Sequence, residues 1–99
     1  VRSLLRVQGD DCPVLRLRMR VTAGRGGQLF WTTKSSPQFG EEKSLRFAIR
    51  ADGQFHQYRL EPGSHRKWAG QTITGIRIDP GGGAPSGEFA IDYVRGRKE

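Results

Sequence analysis

Within residues 14–22, VLRLRMRVT, apolar and basic side chains alternate without a break from Leu15 to Val21, with Leu15, Leu17, Met19 and Val21 on one parity and Arg16, Arg18 and Arg20 on the other. A period of two belongs to the extended chain, whose successive side chains leave on opposite faces; a helix would scatter these apolar residues around its axis. The segment is therefore predicted to be a strand with one dry face and one charged face. Such a strand needs a second apolar surface to cover it, and the rest of the chain must supply it.

The alternation recurs along the chain. Residues 27–33 (GQLFWTT) follow a Gly-rich turn, and residues 43–50 (KSLRFAIR) place Leu45, Phe47 and Ile49 inward. Ala51, Asp52 and Gly53 predict a hairpin, because Asp-Gly readily supplies positive φ. Residues 54–60 (QFHQYRL) form the returning strand, which ends at Pro62, Gly63 and Ser64. Residues 72–79 (TITGIRID) and 87–94 (GEFAIDYV) complete the set, and RSLLRVQ near the start is a weaker strand. No segment keeps a helical period. Seven short strands spaced by about ten residues predict an all-β chain, an antiparallel β-sandwich. Residues 1–99 read as one domain, a module excised from a larger protein, and the basic end at 96–99 is expected to fray.

Charge and cysteine content narrow the chemistry. Lys and Arg number 17 against 10 Asp and Glu, a formal net charge of +7, which favours anionic partners. Cys12 is the only cysteine, so no internal disulfide or cysteine zinc site can form, and a small, partly buried thiol is expected. No apolar run approaches the ~20 residues of a membrane helix, and no membrane contact is expected. The chain is not expected to be an enzyme. His56 and His65 have no cysteine partner, no serine sits in a nucleophile elbow, and Gly81–Gly83 lacks the Lys-Ser/Thr ending of a phosphate loop.

Taken together, SLRFAIRADGQFHQYRL, KWAGQTITGIRIDP and the closing GEFAIDYV, whose apolar strand ends in Ile-Asp-Tyr, resemble the galactose-binding-like jelly rolls. This is a broad group of carbohydrate-binding and discoidin-type modules. The resemblance covers most of the chain from Leu15 onward. It implies a jelly-roll sandwich, a non-catalytic carbohydrate-binding role, an attached catalytic domain in the parent chain, and an extracellular or cell-surface setting in a bacterium. Such modules usually run longer at the N-terminus, so an unpaired strand edge open to a homodimer is expected.

Candidate ligand residues lie at outward positions. Arg18, Arg20, Arg46 and Arg77, with Arg16, Arg50 and Arg59, fall opposite or beside inward apolar residues, and a guanidinium fork suits carboxylate or sulfate. These arginines are either ligand groups for an acidic or cell-wall polysaccharide, or are solvated and paired with Asp79, Glu88 and Asp92. Of Phe30 and Trp31, one faces the core and the other faces out. Trp68 either plugs the end of the sandwich or offers a ring to a sugar. His56 and Tyr58 share a strand face opposite Phe55, and one of these faces is buried. Trp31, Trp68, His56 and Tyr58 are thus the ring candidates. Asp79 and Asp92 stand at matching positions on strands that the glycine loop would set side by side. Two carboxylates so placed need a cation between them, either arginine (Arg77 or Arg95) or Ca²⁺. The resemblance adds weight to structural calcium; the short N-terminal stretch takes it away. The competing function is a structural or protein-interaction sandwich of a surface protein. Nucleic acid is a third and weaker reading, since no stacking platform is evident.

Overall fold

The computed structural model describes residues 2–79 and 89–98. The glycine segment 80–88, with Glu88 and the loop glycines named above, lies outside the described residues. Seven strands run in chain order: β1 (Arg2–Gln8), β2 (Val14–Val21), β3 (Gly26–Thr33), β4 (Ser44–Ala48), β5 (Phe55–Leu60), β6 (Thr72–Asp79) and β7 (Phe89–Arg97). They form two antiparallel sheets, one ordered β1-β6-β3-β4 and one ordered β5-β2-β7. The fold is an all-β antiparallel sandwich.

Leu15, Leu17, Met19 and Val21 of β2 are buried against Leu29 and Trp31 of β3 and Ile73, Ile76 and Ile78 of β6. The period-two reading of β2 therefore holds from Leu15 to Val21, while Val14, on the arginine parity, is also buried. At one end of the sandwich Trp68 closes the core. Its indole N–H donates to the carbonyls of Gly9 (2.9 Å) and Cys12 (3.1 Å), and its ring meets Trp31 edge to face at 5.3 Å. A Cβ on Gly9 would lie 2.2 Å from the Trp68 carbonyl oxygen, so the close approach of these backbones requires glycine.

Three expectations change. Gly53 does take positive φ (+78°), but β4 and β5 belong to different sheets, so Asp52-Gly53 turns a corner between layers and makes no hairpin. The basic end continues β7 as far as Arg97, because Arg95, Gly96 and Arg97 pair with Arg16, Leu15 and Val14. The N-terminal stretch fills the place beside β6 as β1, leaving β1, β4, β5 and β7 as the sheet edges.

Candidate functional site

The outer face of the three-stranded sheet carries arginine on every strand. Register decides what stands together. Arg16, Arg18 and Arg20 of β2 pair with Arg59, Gln57 and Phe55 of β5, and on the other side with Arg95, Tyr93 and Ala90 of β7. Three lateral rows result: Arg59-Arg16-Arg95, Gln57-Arg18-Tyr93 and Phe55-Arg20-Ala90. A bulge makes this possible. Arg18 pairs with Tyr93 and Met19 with Ile91, leaving Asp92 as the extra residue. The parity of β7 switches there, so Ile91 and Val94 both pack on the core while Tyr93 and Arg95 both face outward.

Arginine predominates on this face: among the described residues Arg16, Arg18, Arg20, Arg59, Arg95 and Arg97 stand in outward register, with Asp92 on Arg18 at 2.8 Å and Glu61 on Arg59. Like charges directly opposite across strands are destabilising, and guanidinium cannot shed its proton to relieve them. Rings separate some of the charge. The Arg18 guanidinium lies 4.4 Å and that of Arg20 5.9 Å from the centroid of Phe55, which is 40% exposed; Arg95 lies 4.2 Å from that of Tyr93. Contact with a ring draws on a cation's charge and uses none of its N–H donors. The Nε of Arg20 is shielded from water and has no hydrogen-bond partner among the described residues. A buried donor of this kind is uncommon.

Arg18 and Arg20 thus belong to this face. The other candidates do not. Arg46 stands exposed on β4 in the opposite sheet, paired in register with Gln28. Arg77 is on that sheet too, its fork closed on Asp79 (3.1 and 3.2 Å) and its guanidinium 4.2 Å from the Phe30 centroid. Trp31, fully buried, donates its indole N–H to the Lys67 carbonyl at 3.0 Å, and Phe30 is the outward neighbour. Trp68 is 1% exposed and plugs the sandwich end, so neither tryptophan has a surface to offer a sugar. His56 and Tyr58 take the inward parity, opposite Met19 and Leu17. His56 Nε2 lies 2.9 Å from Asp52 Oδ2, and the Tyr58 hydroxyl accepts the Arg50 N–H. The Asp52 carboxyl is held below its usual 3.8, first by the N–H of Gln54 and then by His56.

Asp79 and Asp92 do not form a pair. They lie on β6 and β7 in different sheets, and each has its own arginine, Arg77 and Arg18. The expected arginine pairing holds for both, with Arg18 in the place expected of Arg95. Among the described residues no group of three His, Cys, Asp or Glu is placed to hold a metal ion. Sequence reasoning named Arg16 and Arg59 as outward arginines but missed Phe55 and Tyr93, the rings that meet Arg18, Arg20 and Arg95. Comparison of the chain with protein-family models, curated proteins and solved structures finds no match.

Proposed function

We propose that this chain is a galactose-binding-like jelly roll that acts as a non-catalytic carbohydrate-binding module at the bacterial surface or outside the cell. In this reading it holds an acidic polysaccharide on the outer face of its three-stranded sheet and keeps an attached enzyme at its substrate. One observation carries the reading: Arg59, Arg16 and Arg95 stand abreast across three strands, so anionic groups lying across the sheet can meet several guanidinium forks in one row. Uronate carboxylates or sulfate esters along an extended chain would supply those groups. Binding through exposed forks is weak per module and grows with the number of modules on one chain. The charge would also favour nucleic acid, but Arg18 occupies one side of the Phe55 ring, where a base would stack.

Affinity electrophoresis through gels containing dextran sulfate, polygalacturonate or neutral dextran tests this. Retardation is expected in the two charged gels only, falling with salt as counterion release requires, and falling at least tenfold in Arg16→Gln/Arg95→Gln. Unchanged retardation of that variant, or none for the parent, sinks the reading. Tighter binding of single-stranded DNA than of dextran sulfate at equal salt replaces it with a nucleic-acid module. A stable dimer by size exclusion without retardation replaces it with a protein-interaction module.

A further inference from the structure

The second basic feature lies away from the sheet face, where the β3–β4 connection meets the β5–β6 loop. A cavity of about 150 Å³ is lined there by Thr33, Ser35 and Ser36 from the first and by Arg66, Lys67 and Gln71 from the second, with Lys43 in its wall. Its volume is about five times a water's share of the liquid, enough for a tetrahedral oxyanion with its attachment. The lining holds three cations and no carboxylate.

Lys43 is the unusual member. It is 2% exposed, and its ammonium donates to Ser36 Oγ at 2.7 Å and to the Gln38 carbonyl at 2.6 Å. Both acceptors are neutral. The nearest carboxylate oxygen, on Glu42, stands 3.5 Å away on a side chain that is 56% exposed, so most of its field is shared with solvent. A buried ammonium held by two neutral acceptors and one largely exposed carboxylate keeps part of its desolvation penalty, and an anion in the adjoining cavity would offset more of it.

Two further details orient the cavity toward anions. Ser36 Oγ accepts from Lys43, which leaves the hydroxyl proton of Ser36 to be donated, and no acceptor for it lies among the described residues. Thr33 Oγ1 accepts the Ser36 N–H at 3.1 Å and shares a 3.4 Å hydrogen bond with Ser35 Oγ. The Glu42 carboxyl is held below its usual range, first by its own backbone N–H and then by the charges of Lys43 and Lys67. The frame is rigid: Lys67 contributes its carbonyl to the Trp31 indole N–H, Trp68 anchors the loop to Gly9 and Cys12, and the Lys34 N–H donates to the Thr72 carbonyl. Donors fixed before a ligand arrives need no ordering on binding.

We infer that this cavity is a second anion site, separate from the arginine face, which takes one oxyanion group of a small ligand: a sulfate ester or a carboxylate. The inference stands whether or not the sheet face binds a polysaccharide.

The test is titration of the ¹⁵N-labelled chain with sodium sulfate and, separately, sodium acetate, against sodium chloride at matched ionic strength. Saturable shifts are expected at the amides of Ser35, Ser36, Lys67 and Gln71 with sulfate, acetate or both. The anion that saturates at the lower concentration names the ester or the carboxylate as the natural group. Arg66→Gln/Lys67→Gln changes exposed or half-exposed side chains only and keeps the Lys67 carbonyl, so it should fold and weaken the binding about tenfold or more. Arg16→Gln/Arg95→Gln should leave it unchanged. Lys43→Met should abolish it if that variant folds; if it does not, the Arg66/Lys67 variant decides. Shifts that match chloride, fail to saturate, or survive Arg66→Gln/Lys67→Gln overturn the site.

Discussion

Both outer faces of the sandwich set arginine on phenylalanine, and the two pairs end in opposite states. On the four-stranded sheet Arg77 pairs with Phe30 in register, closes its fork on Asp79 two residues along the same strand, and leaves Phe30 only 5% exposed. On the three-stranded sheet Arg18 and Arg20 share Phe55, which stays 40% exposed. Residue type does not separate these faces. What separates them is whether a neighbour covers the ring: Phe30 is closed into the fold, and Phe55 is open to solvent.

Truncating the two rings should split the faces most widely. Phe30→Ala removes a buried ring and should cost about 3 kcal/mol, lowering Tm by more than about 10 °C while leaving retardation in dextran sulfate gels unchanged. Phe55→Ala should shift stability by less than about 1 kcal/mol but weaken retardation about two- to fivefold, since Arg18 and Arg20 lose the ring they rest on. Thermal melts and gel mobility of both variants provide the check. Equal effects on mobility would erase the distinction.

Charge removal gives a smaller contrast. Arg77→Gln loses an ion pair and a ring contact, about 1 kcal/mol of stability with no change in polyanion binding. Arg16→Gln removes the middle fork of the row, so retardation should fall. The acids sharpen this further. Asp92→Asn frees Arg18 and should strengthen binding about two- to fivefold, an ion pair of this exposure being worth up to about 1 kcal/mol. Asp79→Asn should leave binding alone and lower stability by less than about 1 kcal/mol. Isothermal titration with a sulfated oligosaccharide separates the two.

Much of the sandwich was legible because half-buried strands record their inner face as a period of two. β2 shows this best, and Leu45, Phe47 and Ile49 follow the same rule against the core. Alternation does not record which strand lies alongside. That is why Asp79 and Asp92, at equivalent places after Ile78 and Ile91, were expected together and stand in separate sheets. It is also why Asp52-Gly53, which does take the expected backbone, was read as a hairpin when it joins two layers. The arginine row depended on a second silent feature, the bulge at Asp92. Its trace in the sequence is the three-residue step from Ile91 to Val94, both facing the core, where an unbroken strand would step by two. Trp31 and Trp68 misled for another reason: a ring that fills a core and a ring that grips a sugar are the same residue until burial is known.

The smallest expected effect lies at the corner that delivers Phe55 to the open face. Asp52 accepts the Gln54 N–H at 2.9 Å and holds His56 Nε2, fixing the chain on both sides of Phe55. Its carboxyl titrates below 3.8 in the folded chain, so its contribution is present above that pH and is lost as pH falls through the folded value. Below about pH 4 the parent should therefore lose stability more steeply than Asp52→Asn, whereas between pH 5 and 8 Asp52 stays ionised in both folded and unfolded chains and adds no slope. Chemical denaturation at half-unit steps from pH 2.5 to pH 8 measures this. Parallel acid limbs for parent and variant would mean that Asp52 does not anchor the corner. The exposure of Phe55 would then have to be set by β2 and its arginines alone.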